Sequence, residues 1–182
     1  MPHIAPSAVW ERTDTMIEFV YFDMDGVLSD FSGGVETLCG MECLDQASRD
    51  FAREDLMWDA IRDVGHFYAR LPPLPGAVAL FRAVYAKFGD RCQLLTGAPK
   101  PRRGIPTAKE DKIAWAKRLL DPNVIVNVVY REEKGRFCTG PECLLIDDFA
   151  ENVRAWKECG GTAILHTNAR STRRKLKYRG VL

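Results

Sequence analysis

The chain has 182 residues, 46% of them hydrophobic and 28% charged, enough for one domain with a proper core and an ordinary globular composition. Its net charge of +1 creates no strong field toward nucleic acid or a membrane surface, and no apolar run approaches a membrane span. The first residues, MPHIAPSAVWERTDT, lack the apolar region of a signal peptide and carry acids, so residues 1–16 are expected to be an N-terminal extension of a cytoplasmic protein.

The first element, FVYF at 19–22, reads as a buried strand that runs into Asp23-Met24-Asp25-Gly26. Residues 27–71 change character: they are helical in pattern and rich in charges and aromatics. Leu56, Met57, Ala60, Ile61 and Val64 fall on one apolar stripe at helical spacing. LPPLPG at 71–76 breaks the chain. A regular alternation follows. Residues 77–88 form a helix with Leu80, Phe81, Val84, Tyr85 and Phe88 inward, and Gly89 stops it. Cys92–Leu95 is a strand. Thr107 and Glu110 read as a capping box for the helix KEDKIAWAKRLL, which ends at Asp121-Pro122. Val124–Val129 is a β-branched strand, Cys143–Ile146 another, 149–159 a helix stopped by Gly160-Gly161, and Thr162–His166 the last strand. Strands alternating with helices imply an α/β fold, a doubly wound parallel sheet covered on both faces. The expected division is a core of 17–29 with 73–182 and a helical cap of 30–72 inserted after the first strand.

Polar residues gather where the strands end: Asp23 and Asp25 after the first, Thr96-Gly97 after the second, Lys134 after the third, Asp147-Asp148 after the fourth. Ligands of open parallel sheets bind at that edge, so residues distant in sequence can converge there. Two carboxylates at the end of a core strand resist burial without compensation. The set suits phosphoryl transfer. An ionised carboxylate can attack phosphorus, Mg²⁺ needs few oxygen ligands, a lysine and a hydroxyl or N–H hold the remaining phosphate oxygens, and a second acid serves the leaving oxygen and then the water.

DMDGVL, LLTG, a lysine and LLIDD in this order resemble the motifs of the haloacid dehalogenase (HAD) superfamily of aspartate-nucleophile phosphatases. The second aspartate of D-x-D points to its phosphatase branch. DMDGVLSDF, LPPLPGA, EDKIAWAKRLL and LLIDDFAEN further resemble the 5'(3')-deoxyribonucleotidase family. The resemblance implies a HAD-like (Rossmann-like) core with a small helical cap, and dephosphorylation of nucleoside monophosphates. It implies Asp23 as nucleophile and Asp25 as general acid/base. It implies magnesium held by Asp23, the Asp25 carbonyl and Asp148, with Asp147 nearby. Thr96, Gly97, Lys134 and Lys112 would bind phosphate, and Phe31 would lie beside the substrate. The chain departs from that family at Thr96-Gly97-Ala98-Pro99, where Thr-Ser-Pro is usual. Arg102 and Arg103 have no counterpart, and the loop GRFCTGPEC is longer.

Other readings stay open on the residues alone. The substrate could be a sugar phosphate or another small phosphomonoester. The tail ARSTRRKLKYRG, with its six basic residues, would suit a nucleic-acid end-processing phosphatase, but is expected to be a solvated, partly disordered tail. A scaffold without turnover has no need of both Asp23 and Asp25. The pairs Cys39/Cys43 and Cys138/Cys143 leave a zinc site open, while Cys92 and Cys143 read as core residues. Trp58, Phe67 and Tyr68 read as cap packing, and His66 and His166 as structural or exposed. A homodimer also stays open.

Overall fold

The computed structural model describes residues 16–44 and 50–182. The expected N-terminal extension lies, but for Met16, outside them. Five strands form one parallel sheet: β1 (Phe19–Phe22), β2 (Cys92–Gly97), β3 (Val126–Val129), β4 (Cys143–Asp147) and β5 (Thr162–Leu165), in the order β3-β2-β1-β4-β5. The register pairs Phe22 with Leu94 on one side and with Ile146 on the other. The carboxyl ends of β1, β2 and β4 therefore lie side by side, at the point where the strand order reverses.

Alternation along the strands divides the core in two. Val20, Phe22, Leu94, Leu144, Ile146 and Ile164 face the larger cluster, where α4 (Ala77–Phe88), α5 (Ala108–Leu119) and α7 (Ala169–Tyr178) pack. Tyr21, Leu95, Cys143, Leu145 and Ala163 face the smaller one, covered by α6 (Ala150–Glu158) through Val153 and Trp156, with Phe137 from a 3₁₀ run, Arg131–Phe137. The helical insert after β1 consists of α1 (Phe31–Cys39), α2 (Phe51–Val64) and α3 (Phe67–Arg70), and its apolar residues join the larger cluster.

The structure revises four local expectations. Leu56 is 62% exposed, so the inward stripe of α2 narrows to Met57 and Ile61 with Ala60 and Val64 at its margins. Thr107 does not cap α5; its hydroxyl donates to the Asp111 carboxylate at 2.9 Å, already tied to His66 at 2.8 Å. Strand β2 runs on to Gly97, because the edge strand β3 pairs with it as far as Val129. The basic tail is a helix and not a disordered segment. Asn168 accepts the Ser171 N–H as its N-cap, Thr172 and Leu176 are buried, and Lys87 Nζ donates to the Val181 carbonyl at 2.9 Å. Two inward residues one turn apart suffice to dock it on α4, leaving the charges outside.

Candidate active site

Asp23, Thr96 and Asp147 owe their places to strand ends. Asp23 leaves β1 with its N–H bonded to the Ile146 carbonyl, and the chain then folds tightly: the Leu28 and Ser29 N–H groups both return to the Met24 carbonyl. Ser29 Oγ donates to Asp25 Oδ1 at 3.0 Å. Gly26 adopts φ +78°, and a Cβ there would lie 2.2 Å from Asp148 Oδ2. Glycine is required at this position both by the backbone and by the space that Asp148 fills.

Two lysines organise the carboxylates. Lys134, 5% exposed, donates to Asp23 Oδ1 at 2.9 Å and to Asp147 Oδ2 at 2.7 Å. Burial opposes its charge, but Asp23 and Asp147 outweigh burial and hold its pKa above the usual lysine value. Asp147 is fully buried. It accepts the Phe149 N–H at the start of α6, and both its oxygens accept the Asn152 amide at 3.1 and 3.0 Å. It thus anchors the helix start and belongs to the site at once. Burial, then the charge of Asp23, raises its pKa. Asp148 is pushed up to about 7, first by burial and then by Asp23 and Asp147.

The second lysine, Lys112, is fully buried on α5. Its Nζ donates to Asp25 Oδ2 at 2.6 Å, to Thr96 Oγ1 at 3.0 Å and to the Gly97 carbonyl at 2.7 Å, and lies 4.5 Å from the centre of the Tyr68 ring. An ammonium has three N–H groups, so in this arrangement all are engaged. Lys112 and Thr96 stand behind the surface of a cavity of about 650 Å³, whereas Asp23, Asp25, Gly97, Lys134, Asp148 and Phe31 line it. Phe31 opens α1 and lies in an aromatic cluster, 5.5 Å from Phe67 and 6.3 Å from both Trp58 and Tyr68, measured between ring centres.

Oxygen atoms of Asp23, Asp147 and Asp148 come within 4.8 Å of one another, a group able to hold a metal ion. All three donors are carboxylates, the set a hard cation such as Mg²⁺ prefers. Against three carboxylates stands one lysine charge, so a divalent cation fits. The Asp25 carboxylate turns instead toward Lys112 and Ser29. The cysteine pairs do not meet: Cys39 and Cys43 pack with the insert, Cys138 and Cys143 under the opposite face of the sheet. His66 is exposed beside Asp111. His166 is buried against the Thr172 hydroxyl at 2.9 Å, and burial followed by the charge of Lys175 lowers its pKa to about 4.

Three contributors were missed from sequence: Gly26, Ser29 and Asn152. Gly26 and Ser29 lie within DMDGVLSDF and Asn152 within LLIDDFAEN, so position alone marked them. Their roles depend on partners brought by the fold.

No family model matches the chain. Among solved structures, a HAD family hydrolase from Deinococcus radiodurans R1, determined with bound phosphate and sodium, superposes with a TM-score of 0.54 at 15% identity, over 93% of this chain and 99% of that one. The L-2-haloacid dehalogenase of Xanthobacter autotrophicus, with chloropropionic acid covalently bound, gives 0.52 at 16% identity over 92% and 85%. The chain has the haloacid dehalogenase fold. In sequence, this HAD-fold chain is 28% identical over 130 residues to a Vibrio phage KVP40 protein named "Putative 5'(3')-deoxyribonucleotidase", a match covering 68% of the chain. The chain spans 62% of that relative's length. The resemblance read from the motifs therefore holds in fold and in this distant sequence similarity. Among the described residues no helix is long and apolar enough to cross a membrane.

Proposed function

We propose that the chain is a magnesium-dependent phosphatase that forms an aspartyl-phosphate and acts on nucleoside monophosphates. The observation that carries this reading is the placement of Asp23 beside Lys134 and the Asp147/Asp148 oxygens, with Asp25 on the same cavity wall. The phage relative's name supports the nucleotide, and a cavity of about 650 Å³ suits a ligand of that size.

Asp23 attacks phosphorus while the bond to the leaving oxygen breaks, and Asp25 gives that oxygen its proton. A water then attacks the phosphorus of the aspartyl-phosphate. Asp25 takes the water's proton, the bond to the Asp23 oxygen breaks, and inorganic phosphate leaves. Lys134 neutralises Asp23 during the approach of an anion. Gly97 lines the cavity at the end of β2 and its N–H offers a donor there, while Lys112 fixes Thr96 and Asp25 in position from behind the wall. Asp23, Asp148 and the Asp25 carbonyl would hold Mg²⁺, which when bound supplies positive charge to the phosphate oxygens. Phe31 would lie against the leaving group.

The test is phosphate release from deoxy- and ribonucleotides in 5' and 3' forms, sugar phosphates and a phosphorylated oligonucleotide, with magnesium and with EDTA. Magnesium-dependent release from nucleotides well above the rest is expected, and Asp23→Asn should abolish it in a folded protein, since an amide cannot form the phosphoenzyme. Substantial turnover by that variant would sink the mechanism; release only from sugar phosphates would discard the nucleotide.

A further inference from the structure

Arg103 is only 9% exposed. It lies in a 3₁₀ turn, Pro101–Arg103, six residues beyond Gly97 on the loop that leaves β2. Its guanidinium crosses to the insert. Nη2 donates to Glu54 Oε1 at 2.6 Å, Nη1 donates to Asp55, and the group lies 5.4 Å from the centre of the Trp58 ring. The same Glu54 oxygen accepts the Trp58 indole N–H at 3.2 Å. Glu54, Trp58 and Arg103 all line the cavity. The turn passes close under α2: a Cβ on Gly104 would meet Arg62 Cδ at 3.3 Å.

Among the described residues, the ion pairs linking α2 to the core both fall on Arg103. The insert's other polar ties to the core, among the described residues, cluster around α3: His66 to Asp111, Ala69 O to Arg118, Leu71 O to Trp115. Those ties hold α3. The guanidinium holds α2.

We propose that Arg103 is a positioning residue: it clasps α2 to the loop after β2 and locks the Trp58 indole as the wall against which the substrate's leaving group packs. Arginine suits the place because its planar fork can grip two carboxylates while its face stacks on the ring. The leaving-group part rests on the phosphatase reading above; the clasp does not.

The experiment compares wild type, Arg103→Met, Arg103→Lys and Asp55→Asn. Glu54 and Asp55 are partly exposed, so they regain water when Arg103→Met removes the charge, and the fold should hold. Hydrogen–deuterium exchange followed by mass spectrometry reads the clasp. Losing charged hydrogen bonds of this kind should speed exchange across α2 about tenfold or more in Arg103→Met, leaving α5 as in wild type. Asp55→Asn, which keeps the Glu54 limb, should show a smaller rise and serves if Arg103→Met fails to fold. Kinetics read the wall. The ratio of kcat/KM for a nucleoside monophosphate to that for acetyl phosphate should fall about tenfold in Arg103→Met through KM, with part of it restored by Arg103→Lys. Unchanged α2 exchange in Arg103→Met, or in Asp55→Asn if that is the folded variant, overturns the clasp. Equal losses on both substrates overturn the role of Trp58. Faster α2 exchange in a protein whose wild type releases no phosphate from any nucleotide would uphold the clasp and defeat the nucleotidase reading instead.

Discussion

Replacing Lys134 with methionine should be among the most damaging single changes in the core, and magnesium should repair part of it. Lys134 Nζ sits 2.9 Å from Asp23 and 2.7 Å from Asp147, in surroundings that leave it 5% exposed. Methionine keeps much of the stem's volume and removes the charge. Breaking a buried ion pair by deleting one partner costs about 3–5 kcal/mol, because the other partner is left as an uncompensated charge. Here one cation serves two carboxylates with Asp148 close by, so the upper part of that range is expected in EDTA. A saturating divalent cation binds the folded state alone and, at about a hundredfold over its Kd, adds about 2.7 kcal/mol. It should favour the variant more than wild type, since the variant has the larger excess of negative charge. The pH dependence gives a second handle. Asp147 and Asp148 have folded pKa values above their ordinary ones. The folded protein therefore holds more protons than the unfolded chain between the two values, and stability rises as pH falls through that window. Lys134 opposes the rise at Asp147, so without it that shift grows and the deficit of the variant should shrink as pH falls from about 7.5 toward about 5.5. Urea unfolding followed by circular dichroism, with EDTA and with magnesium at both pH values, measures all three. A variant within about 1 kcal/mol of wild type in EDTA, or a deficit untouched by magnesium, would refute the reasoning.

Other consequences follow from the same geometry. Gly26→Ala forces a Cβ to within 2.2 Å of Asp148 Oδ2 at a φ of +78°; titration calorimetry should show Mg²⁺ affinity lowered about tenfold or more, and unchanged affinity would remove Asp148 from the metal set. Asn152→Ala strips the amide from both Asp147 oxygens and should lower kcat by about 10–100-fold with little change in melting temperature. His166 takes up its proton at about 4 when folded against an ordinary 6.5, so the unfolded chain binds the extra proton between those values. Stability should fall as pH drops through that window, by at most about 3 kcal/mol. Replacing His166 with Gln should flatten that slope in urea melts; an identical slope would exonerate the histidine.

Much of the fold was legible because it depends on local patterns. FVYF, CQLL and CLLI are apolar runs too short for helices and bounded by polar residues, and α4 shows its inward face at helical spacing. The parallel order then placed Asp23, Thr96 and Asp147 at one edge. Prediction failed where the deciding partner was remote. Leu56 fitted the stripe of α2 but stands exposed, the Thr107 hydroxyl turned to Asp111, and the basic tail docked as α7 through Thr172 and Leu176.

The sequence by itself determined which chemical groups reach the carboxyl edge of the sheet, since strand ends are written in hydrophobic periodicity and in the polar residues that interrupt it. Only the tertiary structure decided how those groups pair. Lys112 and Asp25 are 87 residues apart in the chain, Lys134 and Asp23 111, and Arg103 meets Glu54 across the boundary between core and insert. Such pairings depend on where a side chain ends rather than where its residue begins. Burial makes them obligatory: a charge removed from water must find its partner inside the protein, however far along the chain it lies.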